Sequence, residues 1–106
     1  MIKEATIRHF ARANAGSKSP LEEWLTKVKQ ADWERPGDIK ATFPSADLLG
    51  KSCFRVVLDI GGNNFRMICK YAFTAATIRL YVCWIGTHAG YDKLCKHGEQ
   101  YTVFDY

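Results

Sequence analysis

Phe54-Arg55-Val56-Val57-Leu58-Asp59-Ile60-Gly61-Gly62-Asn63-Asn64-Phe65-Arg66-Met67-Ile68-Cys69-Lys70-Tyr71 reads as two strands of period two joined by a tight turn. Gly62-Asn63 suits a two-residue primed turn, in which both central residues need positive φ. That turn sets Ile60 opposite Phe65, Leu58 opposite Met67 and Val56 opposite Cys69. Each pair joins apolar to apolar. A slip of one residue would put Met67 against Asp59 and destroy the face, so the register is well specified. The opposite face then pairs Asp59 with Arg66 and Arg55 with Lys70.

A third strand follows, with Ile78, Leu80, Val82 and Trp84 alternating with Arg79, Tyr81 and Cys83. A turn near Ala75-Ala76 pairs Phe73 with Ile78, Lys70 with Tyr81 and Arg66 with Ile85. Cross-strand partners stand about 5 Å apart at Cβ. The chain leaves this strand at Gly86-Thr87-His88, beside Arg66. Arg55, Arg66, Lys70, Arg79 and Tyr81 are thereby expected on one basic sheet face, with His88, Tyr91 and Asp92 at its rim.

Upstream, the period is helical. Ile7, Phe10, Ala11 and Asn14 mark a first helix from about Lys3 to Asn14, ended at Asn14-Ala15-Gly16-Ser17. Ser19-Pro20-Leu21-Glu22 reads as a capping box starting a second, whose stripe is Leu21, Trp24, Leu25 and Val28. A short link makes the two an antiparallel hairpin on the sheet's apolar face. Asp38 is placed to cap one further short turn before Pro44. Gln100 to Phe104 is a candidate extra strand, and the tail offers Tyr101 or Tyr106 to the site or covers a sheet edge.

The 106 residues fit a single domain, 1–106, with 47% hydrophobic and 25% charged residues. No apolar run approaches the ~18–20 residues of a membrane span. Charges at Lys3, Glu4 and Arg8 leave no apolar signal segment, so a cytoplasmic protein is expected. A net charge of +4 permits a polyanionic partner without requiring one. Four cysteines lie far apart with no Cys-x-x-Cys pair, and Cys95 with His97 matches no common zinc spacing; no metal or cofactor is expected. Phosphate-loop, Gly-x-Ser-x-Gly and His-Glu-x-x-His motifs are missing from the sequence.

Arginine, histidine and tyrosine at one rim have the chemistry to cut RNA through its own 2′-hydroxyl. Imidazole takes or gives a proton near neutral pH, and a guanidinium matches phosphate oxygens. Tyr91 lies three residues beyond His88 and Asp92 four, on one helical face, where Asp92 can hold the imidazole. On the basic face, arginine and lysine suit phosphates and Tyr81 suits base stacking. An ordinary solvated face with an Asp59–Arg66 ion pair explains the same pattern.

Ala31-Asp32-Trp33, Asp38-Ile39-Lys40-Ala41, Phe43-Pro44-Ser45-Ala46-Asp47-Leu48-Leu49, Gly62-Asn63-Asn64-Phe65-Arg66, Gly86-Thr87-His88-Ala89 and Tyr91-Asp92-Lys93 together resemble the HigB toxins of type II toxin–antitoxin systems, within the RelE/ParE-like group. The likeness covers roughly residues 3 to 94. It implies an α+β, RelE-like fold: an N-terminal helical hairpin packed on a small, mainly antiparallel sheet, then a short C-terminal helix. It also implies an endoribonuclease that cleaves mRNA, usually on the ribosome, without a metal or other cofactor. Arg66, His88, Tyr91 and Asp92 stand at the family's catalytic positions, and Arg55, Asn64, Lys70, Arg79 and Tyr81 are the expected RNA-binding set. The implied partner is a HigA-like helix-turn-helix antitoxin, through which alone operator DNA is contacted. Two alternatives share the architecture: a ParE-like inhibitor of DNA gyrase, and a noncatalytic RNA- or protein-binding module. Gly90 departs from the acidic residue that many relatives carry before the tyrosine.

Overall fold

The computed structural model describes residues 4–50, 53–62, 64–73 and 78–105. The turn residue Asn63, the second turn at Ala75-Ala76 and Tyr106 lie outside the described residues. Helix α1 spans Glu4–Ala13 and α2 spans Lys18–Gln30, joined by a single 3-10 turn at Ala15–Ser17. Lys29, near the end of α2, reaches Glu4 at the start of α1 at 2.9 Å, which fixes the hairpin as antiparallel. The cap is not the expected one. Ser17 precedes the helix and its hydroxyl donates to the Asn14 carbonyl instead of accepting from the first turn. Ser19 and Pro20 fall inside that turn, where proline loses no helical hydrogen bond. A short α3, Gly37–Thr42, follows, and Asp38 accepts from the Glu34 and Arg35 amides at 2.8 and 3.2 Å.

Four strands form one antiparallel meander: β1 Asp47–Leu48, β2 Arg55–Ile60, β3 Phe65–Phe73 and β4 Ile78–Thr87. The β2–β3 ladder has the register read from the sequence, from Ile60↔Phe65 down to Arg55↔Lys70. Positive φ is found at Gly61 and Gly62 (65° and 67°), which turns the chain between them. Phe54, expected in the strand, stands outside it at φ 55°. The two-residue β1 carried no strand signal of its own and pairs with β2 through Asp47↔Val57.

The β3–β4 ladder corrects the sequence reading. Phe73↔Ile78 and Lys70↔Tyr81 are as expected, but the register shifts between Ile68 and Cys69. Ile68 faces Trp84 while Cys69 faces Val82, so Cys83 is an extra residue in β4. Arg66 therefore lies opposite Gly86, not Ile85. The bulge reverses the alternation: Ile85 turns into the helix-side core and Trp84 turns outward.

Against the helices, Ile7, Leu21, Trp24, Leu25, Val56, Leu58, Ile60, Met67 and Val82 form the main core. Phe10 meets Phe65 edge-on at 5.8 Å. Phe43 packs against Trp24 and Trp33, and the Trp33 indole N–H donates to Thr42 at 2.9 Å, seating α3. The other sheet face is not a bare solvated surface. Val57, Ile68 and Cys83 are buried there beneath Leu49, Trp84, Tyr91, Leu94 and Val103. The cover is α4, His88–Lys96, with the tail beyond it. Among the described residues that tail forms a 3-10 turn at Glu99–Tyr101 and no strand; it crosses the sheet face and its Asp105 amide reaches Cys83 of the edge strand β4. No described helix is long and apolar enough to cross a membrane.

Candidate functional site

Two strand ends and one helix start build the site. Arg66 enters from β3, directly after the glycine turn, and Asp59 faces it from β2. His88 begins α4, its backbone N–H tied to the Asn64 carbonyl at 3.2 Å. The Thr87 hydroxyl caps α4 by accepting from the Gly90 amide at 3.1 Å. Tyr91 and Asp92 follow within one turn, so α4 lays His88 and Tyr91 against the guanidinium and Asp92 beyond the imidazole.

Arg66 Nε donates to His88 Nδ1 at 3.3 Å, and Nη2 stands 3.1 Å from the same nitrogen. Nη1 pairs with the Asp59 carboxylate. The Arg66 guanidinium also lies over the Tyr91 ring, 5.4 Å from its centre. On the far side of the imidazole, Nε2 meets Asp92 Oδ2 at 3.2 Å. A guanidinium only donates, so Nδ1 must offer a lone pair. The proton of neutral His88 then sits on Nε2 and points at Asp92. Asp59, Arg66, His88 and Asp92 are one continuous chain of contacts.

The surroundings hold this chain in place. Trp84, sent outward by the bulge, packs beside Tyr91 at 6.3 Å between ring centres. Its indole lies over Gly86, where a Cβ would come within 2.4 Å of the ring. A Cβ at Gly90 would meet Trp84 at 3.4 Å and Thr87 at 3.3 Å, so the glycine lets α4 settle closely onto the indole. Burial pushes the Tyr91 phenol well above its ordinary range, with Cys95 and the Asp47 charge adding to the shift and Arg66 opposing it. The phenol is therefore protonated at neutral pH. Burial likewise raises the thiols of Cys69 and Cys83, which fits small core residues.

Arg66, His88, Tyr91 and Asp92 thus come together. The RNA-binding set does not form one open surface. Asn64 is exposed at the rim beside His88, and Lys70, Arg79 and Tyr81 are exposed near the far ends of β3 and β4. The second core separates the two groups. Arg55 is only 5% exposed, and its guanidinium is taken up by tail carbonyls. Sequence reasoning gave Asp59 no role beyond a surface ion pair and put Trp84 on the wrong face. The Asp59–Arg66 pairing was the available signal for the first.

A helical hairpin on an antiparallel meander, with a charged rim closed by a C-terminal helix, is the architecture of a RelE-like toxin domain. The chain belongs to the HigB toxin family: the family model, described as the RelE-like toxic component of a toxin–antitoxin system, matches residues 17–94. An antitoxin is accordingly its partner. Among relatives, the chain is 31% identical to the "mRNA interferase HigB" of Escherichia coli O6:H1 (strain CFT073), over 92% of each chain. It is 24% identical to the "mRNA interferase toxin HigB" of Escherichia coli (strain K12), over 87% of this chain and 86% of that one. A Shigella flexneri "mRNA interferase HigB" matches to the same extent.

Proposed function

We propose that this chain is an endoribonuclease that cleaves mRNA by 2′-hydroxyl attack at the Arg66–His88 rim, in the cytoplasm and on translating ribosomes. The names of its relatives support cleavage over gyrase binding or a noncatalytic role. The observation that carries the site is the contact of Arg66 with His88 Nδ1, made across a long stretch of sequence. Residues 1–106 act as one domain in this reading, with no resident metal or cofactor.

Each residue then has one task. Arg66 engages the scissile phosphate and stabilises the charge that grows on its oxygens. Its departure from His88 opens Nδ1, which accepts the 2′-hydroxyl proton. Asp92 holds the Nε2–H and stabilises the imidazolium that forms, as a carboxylate does in other imidazole-based sites. The protonated phenol of Tyr91 is the donor available to the leaving 5′-oxygen. The products are a 2′,3′-cyclic phosphate and a 5′-hydroxyl. Asn64, Lys70, Arg79 and Tyr81 hold RNA on either side of the scissile bond. The antitoxin is a HigA-like helix-turn-helix protein, and operator DNA is bound only through it.

The test is induction in a bacterium with mapping of mRNA ends, and the same mapping with purified protein, with and without ribosomes. Growth arrest with new cuts is expected. His88→Ala and Arg66→Ala, folded by circular dichroism, abolish both. Unchanged cutting in the two variants removes these residues from the mechanism.

A further inference from the structure

Arg55 is a buried cation with an unusual set of partners. Its Nη1 donates to the Val103 carbonyl at 2.5 Å and the Gln100 carbonyl at 3.4 Å. Among the described residues it has no ion pair with a carboxylate. A guanidinium taken out of water is costly unless its donors are used. Here they are used on the backbone of the tail, forty-five and forty-eight residues later.

The tail has a second fastening. The Asp105 amide donates to the Cys83 carbonyl at 2.8 Å, at the bulge where β4 departs from regular pairing with β3. Between the two fastenings, Val103 packs against the buried face of Val57, Ile68 and Cys83. The left-handed Gly98, at φ 67°, reverses the chain out of α4 into this path. Helix α4 itself has no fully buried residue. Its first turn is held through Thr87 and His88, its middle rests on the sheet through Tyr91 and Leu94, and its last residues run straight into the tail that Arg55 grips.

We infer that Arg55 is a positioning residue: by clamping the Gln100–Val103 tail to the sheet, it fixes the tilt of α4 and so places Tyr91 and Asp92 around Arg66 and His88. This rests on the cleavage reading for its catalytic consequence, but not for the clamp. Both carbonyls are taken by one nitrogen, Nη1, whose two N–H bonds are fixed in the guanidinium plane, whereas a lysine ammonium would offer rotating donors with less geometric control.

The experiment uses full-length Arg55→Met and Asp105→Pro; the second removes the amide hydrogen that bonds Cys83, together with the Asp105 carboxylate, and fixes φ there. Backbone hydrogen exchange and RNA cleavage are both read. Amides of 94–97 exchange about tenfold or more faster in each variant, while β2 and β3 stay protected. The kcat falls on the order of 10- to 100-fold, because a displacement near 1 Å in such a site costs about that much. KM holds within about twofold, the pattern of lost positioning, not lost binding. Arg55→Lys recovers part of both. If Arg55→Met fails to fold, Asp105→Pro decides. Exchange in α4 equal to that of the unaltered protein overturns the clamp. Faster α4 exchange with unchanged kcat overturns the positioning role. An unaltered protein that cuts no RNA overturns the cleavage reading, while the exchange data still decide the clamp.

Discussion

Replacing Asp59 by asparagine tests how Arg66 is held. The side chains of Arg66 and Asp59 are 19% and 22% exposed, so water screens their attraction only in part. A fully exposed pair contributes about 0–1 kcal/mol and breaking a fully buried one costs about 3–5 kcal/mol. This pair lies between, and asparagine still offers one acceptor, so a loss of about 1–2 kcal/mol is expected. For a chain of this size that lowers Tm by roughly 5–12 °C. The kinetic effect separates into two parts. Arg66 loses the anchor opposite His88, and kcat falls on the order of 10- to 100-fold through misalignment. Removing an anion beside the phosphate position favours RNA by up to about 1 kcal/mol, so KM is unchanged or falls by as much as about fivefold. Thermal melts and single-turnover cleavage measure both. A variant with normal Tm and normal kcat, or one whose whole defect lies in KM, refutes the view that Asp59 aims the guanidinium.

Three further outcomes follow from the same contacts. Gly86→Ala puts a methyl into the Trp84 ring, costs about 1–3 kcal/mol of stability and changes the tryptophan fluorescence; an unaltered spectrum and melt would contradict the packing of indole on backbone. The Tyr91 phenol is raised in the fold, so the native state keeps a proton that the unfolded chain releases near pH ~10. Its stabilisation is present below that pH and is lost as pH rises toward the folded value; Tyr91→Phe should therefore flatten the alkaline fall in stability, and an identical fall in both proteins counts against it. In ¹⁵N spectra of the neutral protein, His88 should show an unprotonated Nδ1 and a protonated Nε2, with Arg66→Gln weakening that preference. The opposite tautomer would break the chain of contacts.

The β2–β3 hairpin was legible because a slip of one residue would set Met67 against Asp59, and turn chemistry agreed with the pattern. The second hairpin was legible only as far as Cys69↔Val82. Beyond it, simple alternation put Trp84 inside and Ile85 outside. A bulge at Cys83 reconciles that conflict by sending the aliphatic chain to the core and the indole to α4. Periodicity counts residues and has no means of registering an inserted one. The second core did leave a trace: Val57, Ile68 and Cys83 stand among charged and polar neighbours on the outer face. Three apolar residues in one band across a face call for a cover, and α4 with Val103 is that cover. Arg55 lies beside the band, which is why a side chain read as RNA-facing is buried. Among the catalytic candidates, the meeting of Arg66 and His88 survived the register error, since a shift of one place moves the strand end by only about 3 Å.

That the network is closed in the free protein bears on how it would act. Arg66 is committed to Asp59, His88 and the Tyr91 face together, and both imidazole nitrogens are engaged. A phosphate arriving at the guanidinium competes with Nδ1, a neutral acceptor, more readily than with the Asp59 carboxylate, because only the Asp59 contact joins two opposite charges. In the proposed mechanism the first bond to yield is therefore Arg66–His88, and its loss exposes the lone pair that the 2′-hydroxyl proton needs. Asp59 and Tyr91 keep the guanidinium aimed while this exchange occurs, and Asp92 keeps the imidazole from rotating. Substrate binding and base activation are then one event. In that mechanism an RNA whose scissile phosphate sits out of reach of Arg66 leaves His88 blocked, and binding elsewhere on the basic surface is expected to be unproductive.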